Sequence, residues 1–551
     1  MKKLVIVESP SKARTIGYIL GKDYAILATG GHVRDLPRNE LGVNIEDGFC
    51  PTYVVYPGKE KVIHRIAQRA KKSSEVYLAT DPDREGEAIS WHVMKAANIK
   101  KGKRIAFHEI TPREVKEAIT KPRKIDLDLV NSQQARRILD RLVGYKISPI
   151  LWKKIRGRLS AGRVQSVALK FIVDRDREIQ NFIPDEYWEV FAKLKNSQSE
   201  EFEAKFCDKL ESEAEAKKLT RKLKRTKFSV REVEKKEVER WPPPPHRTST
   251  LEQEAWYKLG FMAHRTMSIA QKLYEGLPLE DGKSVGLITY MRTDSSKVSS
   301  LAVKEARSYI EENFGSPFLP CKPRFFRSKV KGAQEAHEAI RPTKVPRKPE
   351  NILPFVDQDS YKLYNLIWVK MMQSQMAPAR SENTVVSIDA GGYMFQARGM
   401  VVKFPGFLTL TEIPPDKKLP KLEEGEVLTL VGLSLKKCFT QPPPHYTEAT
   451  LIQELEYKGI GRPSTYAPIL STLRKRYVMM KGGKLHHLPI GEEVADFLCR
   501  YFPDIMNAKF TADMEESLDD IASGKKEWVE VISSFYLPLE KNIGEALGEK
   551  A

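Results

Sequence analysis

Leu4-Val5-Ile6-Val7-Glu8-Ser9-Pro10-Ser11-Lys12 reads as a strand, a turn and the start of a helix. Four consecutive apolar residues suit a parallel strand buried on both faces. Ser9 offers a helix cap and Pro10 a first helical position. Ile16, Ile19 and Leu20 then continue at helical spacing. Glu8 therefore stands at the carboxyl end of a strand, where α/β sheets place their ligands. Lys12 falls in the first turn of the helix that follows.

The pattern returns at Val76-Tyr77-Leu78-Ala79-Thr80, followed by Asp81-Pro82-Asp83-Arg84-Glu85-Gly86-Glu87 and a helix over Ala88 to Ala97. Asp81, Asp83 and Glu85 give three carboxylates at a strand end. Magnesium takes such oxygens, and acids this close repel unless a cation joins them. A solvated acidic turn capping a helix is an equal reading of this stretch alone. Glu8, a second strand-end acid, moves the balance toward a metal.

Composition points to a polyanion. The chain has 551 residues and a formal net charge of +19, an excess that suits nucleic acid. Its 22 Phe, 20 Tyr and 7 Trp leave base stacking open, although most will be core. Length alone suggests roughly three to four domains. The five cysteines, Cys50, Cys207, Cys321, Cys438 and Cys499, form no C-x-x-C pair, which predicts no zinc ribbon and a reducing cytoplasm. Neither a signal segment nor a run long enough to span a membrane is expected.

Gly286-Leu287-Ile288-Thr289-Tyr290-Met291-Arg292-Thr293-Asp294-Ser295 carries the chemistry. Its β-forming residues predict a buried strand with Ile288, Tyr290 and Arg292 on one face. A tyrosine can be a covalent nucleophile, and an arginine fork suits the phosphate it would attack. On these ten residues alone, a core tyrosine beside a surface arginine is the better account.

The remaining chain supplies context. Asp128 to Leu142 is predicted helical, with Arg136, Arg137, Asp140 and Arg141 crowding it and Gly144-Tyr145 ending it. Ser160-Ala161-Gly162-Arg163-Val164-Gln165-Ser166 opens a helix to about Ile179. Ser160 would cap it and leave backbone amides open to an anion; an ordinary capped helix explains it equally well. Residues 186 to 240 and 380 to 440 are strand-forming and are expected to join. Between them the chain repeats itself. Pro242-Pro243-Pro244 returns as Pro442-Pro443-Pro444, and the Thr250, Leu251, Gln253, Glu254, Tyr257 and Lys258 pattern returns as Thr450, Leu451, Gln453, Glu454, Tyr457 and Lys458. Two copies of one helical module could flank an elongated ligand. Thr293 to Ser296 would cap a helix over Ser299 to Asn313. If Ala336 to Pro342 is helical, His337 and Arg341 share a face. Residues after Gly459-Ile460-Gly461-Arg462 suggest a winged-helix unit.

The Glu8 to Ala13 and Asp81 to Glu87 stretches together resemble a Toprim domain. With the Tyr290 stretch, Ser160 to Ser166, Ala336 to Pro342, Gly459 to Tyr466 and Phe510-Thr511-Ala512-x-Met514-Glu515, nearly the whole chain resembles bacterial type IA DNA topoisomerases. The resemblance implies a multi-domain toroid of α/β and helical parts. Residues 1–135 would form the Toprim domain with a four-stranded parallel sheet. Residues 136–185 and 441–551 would form a helical base, and 186–249 and 378–440 a β-rich arch. A helical domain over 250–377 would carry the nucleophile.

The resemblance also assigns roles. Tyr290 would be the nucleophile, Glu8 the general acid, and Lys12, Arg292 and His337 the phosphate contacts. Glu8, Asp81, Asp83 and Glu85 would surround Mg²⁺. His32, Arg136, Arg137, Asp140, Tyr145, Trp152, Ser160, Ala161, Gly162, Arg163, Val164, Gln165, Arg462 and Arg476 would line a single-strand path. The implied activity is ATP-independent relaxation of negatively supercoiled DNA by a cytoplasmic, nucleoid-associated monomer. Many relatives carry cysteine-rich zinc ribbons after the core. With none here, cleavage is expected to survive. A Toprim nuclease or primase would not need Tyr290, and a single-strand binding protein would never become covalently attached.

Overall fold

The computed structural model describes residues 2–279, 282–326 and 337–548. Strand β1 (Lys3–Val7), helix α1 (Pro10–Leu20), strands β2 (Tyr24–Ala28) and β3 (Val76–Leu78), helix α2 (Arg84–Ala96) and strand β4 (Lys103–Arg104) form the first α/β unit. The sheet order is β2-β1-β3-β4, parallel throughout. Ser9 caps α1 by accepting from the Lys12 amide, with Pro10 at its first position. Leu4 to Val7 are fully buried, as the unbroken apolar run predicts.

The two faces of β1 serve different cores. Leu4 and Ile6 pack with Val33, Ile66 and Leu78. Val5 and Val7 pack with Ile16, Leu273, Leu287 and Tyr290. Each aliphatic side chain taken from water contributes on the order of 1.5–3 kcal/mol. One face of the sheet is thus glued to the segment that carries Tyr290, although the two are distant in sequence.

Helix α3 (Leu127–Lys154) runs on through Gly144 and Pro149, where the sequence reading ended it. Ile147, Ile150 and Leu151 continue its buried face into the base core. That burial outweighs the cost of a helical glycine, about 1 kcal/mol. Helix α4 (Arg163–Gln180) begins later than expected: its cap is Gly162, which is extended, and not Ser160.

Strands β5 (Glu186–Lys195), β6 (Glu201–Phe206) and β7 (Phe228–Arg240) precede a helical insert. The insert contains α5 (Thr248–Leu259), α6 (Ala263–Glu275), α7 (Ser300–Phe314) and α8 (Gln358–Gln375). The chain then returns as β8 (Ala379–Ala390), β9 (Tyr393–Phe404) and β10 (Val427–Phe439). The six strands close a barrel in the order β6-β9-β8-β7-β10-β5, so the two strand-forming regions do join across the insert. Alternate residues fill it, among them Val190, Ala192, Leu194, Phe202, Ala204 and Phe206.

The base combines α3 and α4 with α9 (Glu448–Tyr457), α10 (Tyr466–Arg476), the hairpin β11 (Val478–Lys481) and β12 (Lys484–His487), α11 (Pro489–Tyr501), α12 (Ala508–Ala522) and α13 (Trp528–Leu547). The helices α9 and α10 followed by a hairpin give the winged-helix-like unit expected. The repeated helices α5 and α9 begin alike: Thr250 accepts from the Arg247 amide, and Thr450 from the Thr447 amide. They also pack against each other. Arg247 grips Glu456 at 2.7 and 3.0 Å, and Glu448 accepts from the Ala263 amide at 2.8 Å. A cleft of about 1040 Å³ lies beside this contact, lined by both copies. No described helix is long and apolar enough to cross a membrane.

Candidate active site

The Tyr290 segment is buried as expected but is not a regular strand. Only Ser284–Val285 is one, and Ile288 makes a single bridge to Pro342. The reason lies in its backbone partners. The Leu287 amide donates to Leu273, the Thr289 amide to Arg341 and the Tyr290 amide to His108, at 2.7–2.9 Å. Three separate segments satisfy it, so no ladder forms. Leu287 to Met291 are all buried, which removes the two-faced alternation. Gly286 permits the close approach: a Cβ there would lie 2.9 Å from the Ile110 carbonyl oxygen and 3.0 Å from that of Tyr274.

Two further local expectations fail. Ala336 lies outside the described residues, and 337–342 are not helical. Ile340 instead bridges His246, and Pro342 bridges Ile288. This pairing, together with a proline that cannot continue a helix, separates His337 from Arg341. Arg341 turns to Glu109 at 3.0 Å and Glu338 at 2.6 Å. Helix α7 is capped by Ser299, not by Thr293 to Ser296.

Tyr290 nevertheless meets the strand-end acids. Its hydroxyl donates to Asp83 Oδ2 at 2.6 Å. Arg292 Nη1 lies 4.0 Å from both Asp81 Oδ2 and Asp83 Oδ2. Lys12 Nζ, fully buried, bridges Glu8 Oε1 at 2.7 Å and Asp81 Oδ1 at 2.9 Å. The ring of Tyr274 packs edge-on to Tyr290 at 5.3 Å. That of His337 lies 5.9 Å from Tyr290 and 5.3 Å from His108. Glu8, Asp81, Asp83, Glu85 and Arg292 line one cleft of about 380 Å³.

The acid loop is held in part by a residue that the sequence does not single out. Arg104, fully buried, donates to the Thr80 carbonyl at 2.9 Å and the Asp81 carbonyl at 2.5 Å, and pairs with Glu87 at 2.9 Å. Asp83 caps α2, accepting from the Gly86 amide at 2.8 Å. A Cβ on Gly86 would stand 2.1 Å from the Asp81 carbonyl oxygen, so only glycine fits. Nothing in the sequence around Arg104 distinguishes it from other basic residues.

Burial and the neighbouring Asp81 push the Glu8 carboxyl up to about 8, against the pull of Lys12. Burial opposes the charge on Lys12, but Asp81 and Glu8 outweigh it and raise its pKa. Burial, then Asp83 and Asp81, push the Tyr290 phenol well above its ordinary value, and Arg292 only partly offsets them. The phenol is therefore neutral and needs a proton acceptor. Asp83, itself raised mainly by burial, is already bonded to that proton. Burial lowers the imidazole of His337 to about 4, with His108 adding to it, so that ring is neutral.

Residues 3–110 match the Toprim domain family and residues 124–533 match the DNA topoisomerase family. The chain belongs to the bacterial type IA DNA topoisomerases. A solved structure of full-length topoisomerase I from Thermotoga maritima is 40% identical, with a TM-score of 0.89 over 98% of this chain and 90% of that one. The likeness extends across the whole multi-domain α/β and helical architecture. This topoisomerase is accordingly an isomerase that acts on DNA.

Its candidate strand-binding residues divide into two groups. Tyr145, Trp152, Ser160 and Arg476 line a groove of about 720 Å³ together with Arg38, Asn39 and Arg158. The Trp152 indole is half exposed, and its Nε1 donates to the Leu159 carbonyl at 2.6 Å. Arg38 comes from a loop far away in sequence, and no local pattern marks it. The other group lies in internal ion pairs. His32 pairs with Glu85, Arg137 with Asp35, and Arg136 with Glu515. Arg163 is buried between Asp140 at 3.1 Å and Glu515 at 3.4 Å. Arg462 binds Asp519, which also holds Arg84. Ala161 and Val164 are core.

The amides expected to stay open to an anion are taken. Ser160 N donates to Tyr477 Oη at 2.7 Å, Ala161 N to Ser148 Oγ at 3.3 Å and Gly162 N to Ser166 Oγ at 3.3 Å. Gln165 Nε2 reaches back to the Ser160 carbonyl at 3.1 Å.

Burial opposes ionisation of Glu515, but Arg136 and Arg163 outweigh it and hold its pKa at about 2. Breaking a buried pair leaves its partner charge uncompensated, at about 3–5 kcal/mol. Glu515→Ala is therefore expected to lower stability by that amount. An unchanged denaturant midpoint would show that the ion pair contributes nothing net.

Proposed function

We propose that this topoisomerase relaxes negatively supercoiled DNA without ATP, cutting one strand through a 5′-phosphotyrosine on Tyr290. The 2.6 Å bond from the Tyr290 hydroxyl to Asp83 carries the reading. It brings a phenol from a distant segment directly among the Toprim acids. Tyr290 Oη attacks phosphorus and its proton passes to Asp83. The P–O3′ bond breaks, its electron pair leaves on O3′, and the Glu8 proton neutralises that oxygen. The reverse reaction reseals the strand. Because the phosphotyrosine conserves the bond energy, no nucleotide is consumed, and the sequence contains no G-x-x-x-x-G-K-[ST] loop.

Arg292 and Lys12 would stabilise the charge on the phosphate, and His337 would contact it. The carboxylates of Glu8, Asp81, Asp83 and Glu85 fit a Mg²⁺ ion. They are hard oxygen donors on one cleft, and Glu8 Oε2 is buried without a hydrogen-bond partner among the described residues. Bound there, the ion would supply positive charge at the phosphate. Tyr290 and the acids come from different parts of the chain, so parting them would open a gate while the cut end stays attached. The enzyme is read as a cytoplasmic, nucleoid-associated monomer.

A single-stranded oligonucleotide labelled at either end tests the chemistry. Label 3′ of the cut should remain on denatured protein, and label 5′ of it should be released. Free fragments from both ends would mark a Toprim nuclease instead. The groove makes a separate prediction. Trp152→Ala should weaken single-strand binding by about 1–3 kcal/mol if a base stacks there. Arg476→Ala should reduce the salt slope by about 0.7. Binding isotherms across a salt series check both, and unchanged values would remove the groove from the strand path.

A further inference from the structure

Asp176, His445 and His486 stand together in the base, and the chemistry proposed above uses none of them. They come from α4, from the linker just after Pro442-Pro443-Pro444 and from β12. One ligand atom from each lies within 4.8 Å of the other two. His445 Nδ1 lies 2.7 Å from Asp176 Oδ1. The His445 and His486 rings are 4.1 Å apart and inclined by 50°. The other carboxylate oxygen is fixed from behind: His487 contributes its backbone amide at 2.9 Å and Nδ1 at 2.7 Å to Asp176 Oδ2.

A hydrogen-bonded cluster explains His445 and His487 but leaves His486 unexplained. Its imidazole makes no hydrogen bond to a described residue, yet it faces a second imidazole and a buried carboxylate. A neutral imidazole has a ring nitrogen lone pair to give. Two imidazoles and one carboxylate are the donor set of a transition-metal ion, and an ion such as Mg²⁺ is poorly served by nitrogen. Asp176 is buried and both histidines are half-buried, which leaves a side open for water as a fourth ligand. The carboxylate held by His487 is the kind of supported ligand that metal sites use.

We propose that Asp176, His445 and His486 bind one transition-metal ion, of the Zn²⁺ class, at the joint between the barrel and the base. Its place gives the ion a mechanical role. Strand β10 ends at Phe439, and the proline linker leads directly to His445. Arg175, beside Asp176, also donates to the Pro444 carbonyl at 2.8 Å. The ion would pin that linker to α4 and to the hairpin, fixing the barrel's point of departure. The cysteine spacing could not have revealed this site, because its ligands are histidines and an aspartate brought together only by folding.

The test uses the full chain, stripped with a chelator and titrated with CoCl₂ and ZnCl₂ in the presence of excess Mg²⁺. One equivalent of Co²⁺ is expected to bind, with visible d–d bands free of the charge transfer that thiolate ligands give. Zn²⁺ should displace it and raise the unfolding midpoint. His486→Ala removes a side chain that makes no hydrogen bond to a described residue, so it should fold normally and lose this equivalent. His487→Gln should weaken binding about 10–100-fold. Absence of stoichiometric binding, or binding unchanged in His486→Ala, would overturn the proposal. Thiolate bands would assign the ion to a cysteine and overturn it equally.

Discussion

Tyr290→Phe should abolish covalent attachment to DNA and reduce relaxation at least about a thousandfold, as removal of a nucleophile does. The substitution removes one oxygen and keeps the ring, so packing against Tyr274 survives. It forfeits the hydrogen bond to Asp83, worth about 0.5–1.5 kcal/mol, and the protein should stay folded. The groove around Trp152 and Arg476 does not touch Tyr290, so single-strand affinity should persist. This combination separates the readings. A nuclease that uses only Glu8 and the aspartates would cut as well as before. A binding protein would show no cleavage with either residue. Gel analysis of denatured complexes, beside binding isotherms, gives the answer. Cleavage retained in Tyr290→Phe would remove the phenol from the mechanism.

What the sequence conveyed well was whatever depends on local pattern. Leu4 to Val7 read as a doubly buried strand because all four residues are apolar, and Ser9-Pro10 read as a helix start because both residues have a local function there. The strand-end acids followed from position. Misreadings arose where distant segments decide the outcome. The Tyr290 stretch has strand composition, yet its amides go to Leu273, His108 and Arg341, three partners that no local window contains. Gly144-Tyr145 looked like a helix end because the burial of Ile147 and Leu151 is a tertiary fact. Ser160 looked like a cap over open amides until Tyr477, Ser148 and Ser166 occupied them. The role of Arg104 and the ion pairs of Glu515, a residue legible only as part of a motif, are hidden for the same reason. Each is an ordinary charged residue in sequence and becomes structural only when folding buries it against a partner.

Glu8→Gln should slow cleavage about 10²–10⁴-fold, the usual worth of a positioned proton donor. It should also remove the alkaline limb of the pH profile. Burial and Asp81 hold the wild-type carboxyl at about 8. It is thus protonated at neutral pH and loses its proton as pH rises through that value, taking cleavage down with it. Glutamine has no such proton at any pH, so the residual rate should stay flat there. Stability provides an independent check on the same group. A carboxyl raised in the folded state stabilises it fully below the unfolded pKa of about 4.5, and this contribution is lost as pH rises through about 8. The variant should therefore gain on the wild type across that window. Metal binding could also suffer in Glu8→Gln, and a substrate with sulfur in place of the bridging 3′ oxygen tells the two effects apart. A thiolate leaves without protonation, so a missing acid is bypassed and the variant approaches wild-type rates on this substrate. A missing metal ligand would depress both substrates alike. Equal losses on oxygen and sulfur would assign Glu8 to holding the ion and leave the 3′ oxygen to another donor.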